Sequence, residues 1–250
     1  MVWPQLDSAD AVLIWGYGIH QNSISIINDL KSKKVIVIDP IKTTLAQSAY
    51  RHIQIKPSSD LYFAILLARF IMIEELNETT DESDEYYELT QTVRIKATLD
   101  QIGSSLGDIG AVLELFKNHK VAIVVGNSVA QYEHGDDTNS AIGALATLLG
   151  NRCSIHPQHL KQEFLDEIEC DIDFESGYSL ITHTTYTEDS EPQVVYMHSS
   201  CGFKDSEKLR ISSLGNTFEA ELKLDDRVKE GSILIYSNRR FEPKVKVELC

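Results

Sequence analysis

The chain alternates between short apolar runs that end in glycine, aspartate or proline and longer stretches with helical spacing. "DAVLIWG" (Asp10–Gly16) is a continuous apolar run of strand length closed by a glycine, the pattern of a strand buried on both faces. Gly16-Tyr17-Gly18 turns the chain into "HQNSISIINDLKSK", where Ile24, Ile27 and Leu30 share one helical face. "KVIVID" (Lys34–Asp39) is the next strand, and Pro40, with no amide to donate, ends its ladder. Thr43 or Thr44 can cap the helix-length "TLAQSAYR", and "HIQIK" alternates like a strand. Ser58 or Ser59 can cap a long apolar helix from Asp60 to Leu76, with Asp60 near its positive end.

Two strand–helix–strand units in succession imply parallel strands joined by right-handed crossovers. Sheets of this kind bind ligands at the carboxyl ends of their strands, here Gly16–His20, Asp39–Pro40 and Pro57–Asp60. Further on, "ATLDQIGSSLGDIGAVLELFKNH" predicts two helices broken around Gly103 and Gly107, and "KVAIVVG" (Lys120–Gly126) another buried strand. A loop and then a helix follow, with Ala141, Leu145 and Leu148 on one face. Beyond Asn151 the pattern changes. "YSLITHTTYT", "QVVYMHSS", the region from Leu209 with turns at Gly215-Asn216 and Glu230-Gly231, and "PKVKVEL" all read as strands. The fold class is therefore α/β: parallel sheets with flanking helices, Rossmann-like, followed by a smaller β-rich C-terminal part. The expected divisions are a Rossmann-like unit over 1–76, an acidic loop or linker over 77–96, a second α/β unit over 97–160 and the mixed, β-rich part over 161–250.

Composition narrows the function. The 250 residues can bury a substantial core, and a net charge of −15 repels phosphate backbones, which argues against a nucleic-acid partner. Glu74–Glu88 carries eight acids and no base, as a solvated loop would, and a second acidic stretch spans Glu163–Glu175. The longest apolar run, Leu61–Ile73, contains Arg69 and is too short to cross a bilayer, so no membrane insertion is expected. There is no secretory signal, and the start runs almost directly into a core strand, which suggests part of a longer protein. Cys153, Cys170, Cys201 and Cys250 are widely spaced and form no CxxC pair, which suits a reducing cytoplasmic setting and not an iron–sulfur cluster.

Candidate chemistry is sparse. Gly16-Tyr17-Gly18 matches the first two glycines of a dinucleotide fingerprint, but Gln21 stands at the third, so phosphate contact and a plain tight turn both remain open. Cys153, His156, His159 and Glu163 are metal-ligand types at a spacing that fits no standard zinc site, and His198 with Cys201 is a similar pair. "EHGDD" (Glu133–Asp137) suits a cation or, more simply, the solvated start of a helix. No GxSxG elbow is present, and no convincing partners for a cysteine nucleophile.

"VIVIDPIKTTLAQSAYRHIQIKPSSD" (Val35–Asp60) resembles the molybdopterin oxidoreductase superfamily, the dimethyl-sulfoxide-reductase-like proteins. Members show Trp-Gly-x-Asn after a strand, then Asp-Pro-Arg-x-Thr, Ala-Asp and Pro-Gly-Thr-Asp before an apolar helix. The corresponding residues here are Trp15-Gly16-Tyr17-Gly18, Asp39-Pro40-Ile41-Lys42-Thr43, Ala49-Tyr50 and Pro57-Ser58-Ser59-Asp60. Ile41 stands for the arginine, Tyr50 for the aspartate, Ser58 for the glycine and Gly18 for the asparagine. Retained scaffold with altered pocket residues resembles the C-terminal portion of the G subunit of NADH–quinone oxidoreductase, respiratory complex I. That resemblance implies a non-catalytic structural role without a cofactor in this chain. It also implies, as partners, other subunits of a respiratory complex and the iron–sulfur portion of its own subunit, at the inner face of the cell membrane. Gly16, Gly18, Asp39 and Asp60 would then be a vestigial cofactor cradle. The alternative is a formate- or formylmethanofuran-dehydrogenase-like subunit, in which Asp39 and Asp60 accept hydrogen bonds from the ribose and guanine of molybdopterin guanine dinucleotide. A third possibility is an unrelated α/β domain, such as the central domain of thiamine-diphosphate enzymes.

Overall fold

The computed structural model describes residues 6–17, 23–78, 90–91, 93–129, 134–156, 178–183, 194–213, 216–236 and 244–250. The first part is a five-stranded parallel sheet. Its strands are β1 (Ala11–Trp15), β2 (Lys34–Ile38), β3 (Arg51–Ile53), β4 (Val121–Val125) and β5 (Cys153–His156). They lie in the order β3-β2-β1-β4-β5, every pairing parallel. The chain steps outward from β1 to β3 on one side, then crosses back to build β4 and β5 on the other. The order therefore reverses between β1 and β4, the place where sheets of this kind hold their ligands. Strands from both halves of the sequence share this one sheet.

Continuous apolar strands need cover on both faces, and the helices supply it. Leu13, Trp15, Ile36, Ile38, Ile123 and Val125 face the larger core, with α3 (Asp60–Ile73), α4 (Ile95–Ile102), α5 (Leu106–Asn118) and α6 (Gly135–Leu149). Val12, Ile14, Val35, Val37, Ala122 and Val124 face the smaller core, with α1 (Ser23–Leu30) and α2 (Thr44–Ser48). Helix α3 is apolar all round and buried along most of its length, as a helix between other helices and a sheet must be.

Local signals resolve several boundaries. Thr43 caps α2, its hydroxyl accepting from the Ala46 amide at 3.1 Å. That helix stops at Ser48, shorter than "TLAQSAYR" predicts, because Ala49 turns extended to lead into β3. Helix α3 ends at Ile73 and not Leu76: Glu75 turns left-handed (φ 53°) and the Leu76 amide closes back on the Ile71 carbonyl. The break between α4 and α5 falls at Gly103 (φ 69°) and Ser105, where Ser105 and Asp108 form a capping box. Gly107 is helical, contrary to the sequence expectation, because the cap two residues earlier already starts α5. Neither serine before α3 caps it. Ser59 is its first flanking residue but adopts φ −99°, ψ 1°, outside the extended region from which a hydroxyl reaches the first amides.

The C-terminal part is a closed six-stranded barrel of β6 (Tyr178–His183), β7 (Val194–Met197), β8 (Lys208–Ser213), β9 (Asn216–Leu224), β10 (Ser232–Tyr236) and β11 (Lys244–Leu249). The order round it is β10-β6-β11-β8-β9-β7, closing from β7 to β10. Two pairings are parallel, β10 with β6 and β7 with β9, and both join strands distant in sequence. In β9, Phe218, Ala220 and Leu222 point into the core while Glu219, Glu221 and Lys223 face solvent.

The barrel docks onto the ends of β2 and β3 through the segment before β10. Ile41 forms a lone antiparallel bridge with Val228, and the Lys42 amide donates to the Arg227 carbonyl at 3.0 Å. Gln54 Nε2 donates to both the Pro40 and Arg227 carbonyls, at 3.0 and 3.1 Å. Lys229 Nζ donates to the carbonyls of Gln54 and Gly103, at 3.0 and 3.1 Å. Ile41, Val228 and Leu234 are buried together, with Tyr196 and Tyr236 packed edge to face beside them. Among the described residues, no helix is long and apolar enough to cross a membrane.

Candidate functional site

Four loops meet at the carboxyl edge of the sheet, and the close approach of β1 and β4 shapes their centre. The Gly126 amide donates to the Trp15 carbonyl at 2.8 Å. A Cβ on Gly126 would lie 2.1 Å from the Gly16 carbonyl oxygen, so only glycine fits. Gly16 itself turns left-handed (φ 59°); its amide donates to the Ile38 carbonyl at 2.9 Å and its carbonyl accepts from the Ser128 hydroxyl. Both polar groups of Gly16 thus serve the turn. Gly18 and the rest of that loop lie outside the described residues.

Beside this turn sit Asp39, at the end of β2, and Asp60, at the start of α3, 2% and 4% exposed. Asp39 Oδ1 accepts from the Ile41 amide at 2.8 Å, a local turn that uses the side chain in place of a backbone carbonyl. Its main-chain carbonyl accepts from His52 Nε2–H at 2.8 Å. Asp60 Oδ1 accepts from the Trp15 indole N–H at 2.7 Å. Trp15 is fully buried, edge to face with Phe63, so its one donor needs a partner and Asp60 supplies it.

Burial governs the charge of this pair. It pushes the Asp39 carboxyl up to about 7, with the nearby Asp60 charge adding to the rise and the Ile41 amide opposing it. It pushes Asp60 up to about 6, against the pull of the Trp15 N–H and of Asp60's own amide. His52 goes the other way, its burial disfavouring the charged ring. Among the described residues, no cation offsets either carboxyl.

The resemblance also marks Ser58 and Ile41. Ser58 holds φ 60°, the left-handed region that suits the glycine it replaces, so the backbone keeps the glycine-like bend while carrying a side chain. Its Oγ is buried and has no hydrogen-bond partner among the described residues. Ile41 is buried against Val228 of the barrel. Tyr50 is exposed, with Lys34 over its ring, and does not join the buried pair.

The other candidates do not assemble. Cys153 is buried on β5 and His156 lies on the opposite face of that strand, while His159 and Glu163 fall outside the described residues, as does Cys170. At the His198 and Cys201 pair, His198 Nδ1 accepts from the Ser200 amide at 3.1 Å and closes a short turn. Among the described residues no group of three or more metal-ligating side chains comes together. Asp136 and Asp137 lie in the first turn of α6, which His134 precedes without a side-chain capping bond, while Glu133 is outside the described residues. So are most of Glu74–Glu88 and all of Glu163–Glu175.

A family model described as molybdopterin oxidoreductase matches residues 3–213. The chain belongs to the molybdopterin oxidoreductase family. It is 26% identical over 159 residues to formate dehydrogenase H of Escherichia coli, covering 59% of this chain and 22% of that protein. It is 25% identical over 152 residues to the probable oxidoreductase YyaE of Bacillus subtilis, covering 56% and 23%. A putative formate dehydrogenase of Staphylococcus aureus is 28% identical over 129 residues, covering 49% and 13%. The chain thus spans less than a quarter of the length of these curated relatives. Acetylene hydratase from Pelobacter acetylenicus shares the fold, with a TM-score of 0.58 at 10% identity, over 94% of this chain and 71% of that one.

The family implies a molybdopterin cofactor, and the acid pair tests the fit. A carboxylate offers about four acceptor positions, and among the described residues Asp39 and Asp60 use few of theirs. Two buried acids with no cation beside them among the described residues repel phosphate and suit a donor-rich partner, such as ribose hydroxyls or the ring and amino N–H groups of a purine. The buried Ser58 hydroxyl, on the residue two before Asp60, also lacks a partner among the described residues. These residues fit the nucleoside end of a pterin dinucleotide. Sequence reasoning found both acids but missed Trp15 and His52 as their supports, and Gly126 and Ser128 as supports of the neighbouring Gly16 turn. Only Trp15 left a readable signal, an indole donor at the end of a buried strand.

Proposed function

We propose that this chain forms part of the pterin-dinucleotide site of a molybdenum or tungsten oxidoreductase of the formate dehydrogenase type. The buried, uncompensated pair Asp39 and Asp60 at the switch-point edge carries this reading. Family membership and the formate dehydrogenase relatives support it. In this reading both carboxylates accept hydrogen bonds from the nucleoside end of the cofactor. Trp15 fixes the direction of Asp60, and the Ile41 amide and His52 fix the Asp39 turn. The surrounding apolar core excludes water, which strengthens each hydrogen bond. When bound, the cofactor supplies a metal centre for electron exchange with substrate. The test is to denature protein purified from its native host and assay the supernatant for a pterin and a guanine nucleotide. Release of both in proportion to the chain supports the reading, and release of neither defeats it.

One observation favours a second reading, a cofactor-free scaffold such as the G subunit of NADH–quinone oxidoreductase. Ile41, where the resemblance has an arginine, is buried against the barrel, and an apolar side chain there offers nothing to a phosphate. In that case the native protein would copurify with flavin- and cluster-bearing subunits and release no pterin.

A further inference from the structure

Ser58 combines two features that the fold does not require. Its backbone sits at φ 60°, which a serine adopts at a cost and a glycine adopts freely. Its hydroxyl is buried with no hydrogen-bond partner among the described residues, which costs the folded state again. A glycine at this position would remove both costs. Strain and an orphaned polar atom on one residue, two positions before a buried carboxylate, point to a group supplied from outside the chain.

We propose that the Ser58 hydroxyl is a ligand-contacting group of this chain, completing with Asp39 and Asp60 a site for the ribonucleoside portion of a purine nucleotide. The proposal rests on the pterin-dinucleotide reading and adds a contact that the family's glycine cannot make. The chemistry selects the ligand class. An ionised carboxylate accepts and cannot donate, so Asp39 and Asp60 take the N–H and O–H donors of the base and sugar and leave the phosphate to lie away from them. A hydroxyl both donates and accepts, so Ser58 can also meet a ring nitrogen or a carbonyl oxygen that the acids would repel. A purine ribonucleoside carries both kinds of group within a few ångströms of one another.

The test uses GMP as the probe, with the chain as wild type, Ser58→Gly and Ser58→Ala. Calorimetric titration gives the affinity, and thermal melting without ligand gives the stability. Both variants are expected to bind GMP about fivefold to tenfold more weakly, the loss of one hydrogen bond. Without ligand, Ser58→Gly is expected to melt about 2–4 °C higher than wild type, through relief of backbone strain and removal of the orphan. Equal GMP affinity in all three proteins overturns the inference and leaves the family reading standing. Absence of GMP binding by the wild type overturns both. A Ser58→Gly protein that melts below wild type also overturns the inference, because the hydroxyl would then be serving the fold.

Discussion

Asp39→Asn isolates the cost of holding a buried acid ready for a ligand. In the folded chain the carboxyl titrates at about 7, against 3.8 when free. Between those values the folded state holds a proton that the unfolded chain has released. Stability from this group is therefore fully present below pH 4 and is lost as pH rises through 7. At about 1.4 kcal/mol per pH unit, the interval amounts to about 4 kcal/mol at pH 8. Relaxation and entry of water reduce that, so a gain of about 2–4 kcal/mol is the working figure for a neutral replacement. Asparagine keeps the acceptor for the Ile41 amide and so preserves the turn. The assay is urea unfolding of both proteins from pH 4.5 to pH 8. The variant should be more stable at pH 8, with the advantage shrinking steadily towards pH 4.5. An advantage that does not vary with pH, or a variant less stable than wild type at pH 8, would refute the reasoning.

Three further substitutions probe the supports. Trp15→Phe removes the donor to Asp60 and part of a packed core. It should cost about 2–4 kcal/mol, more at pH 8 than at pH 4.5 because the ionised Asp60 loses its stabilising N–H, and unfolding across that range checks the sign. Gly126→Ala places a Cβ 2.1 Å from the Gly16 carbonyl oxygen, a backbone clash that should destabilise the sheet by about 3 kcal/mol or more, read from its melting temperature. Ile41→Arg puts a charge into the apolar contact with Val228 and Leu234. It should cost about 2–4 kcal/mol and raise hydrogen exchange at the amide of Lys42, which bonds the barrel; unchanged exchange would show that the docking does not depend on Ile41.

The parallel sheet was legible because its strands are unbroken apolar runs punctuated by Gly16, Pro40 and Gly126, and such runs have few alternatives. Asp39 and Asp60 stood out because an acid directly after a buried strand, or opening an apolar helix, is uncommon without a purpose. The barrel was legible only as strands. Its closure depends on parallel pairings between β6 and β10 and between β7 and β9, which no local pattern encodes. Gly107 misled because glycine marks a break only where the chain needs a left-handed turn, and Gly103 had already made it. Ser58 could be seen as a departure from the family's glycine, but nothing in a serine itself announces a positive φ or a buried, unpartnered hydroxyl. Ile41 could be seen as a departure from the family motif, but its role in docking depends on Val228, far along the chain.

The most direct measurement is the molybdenum and tungsten content of the protein purified from its native host, for the wild type and for an Asp60→Asn variant. The account predicts a stoichiometric metal in the wild type and a clear fall in the variant, as one nucleoside acceptor is lost. Metal-free wild-type protein that copurifies with flavin- and cluster-bearing subunits would contradict it.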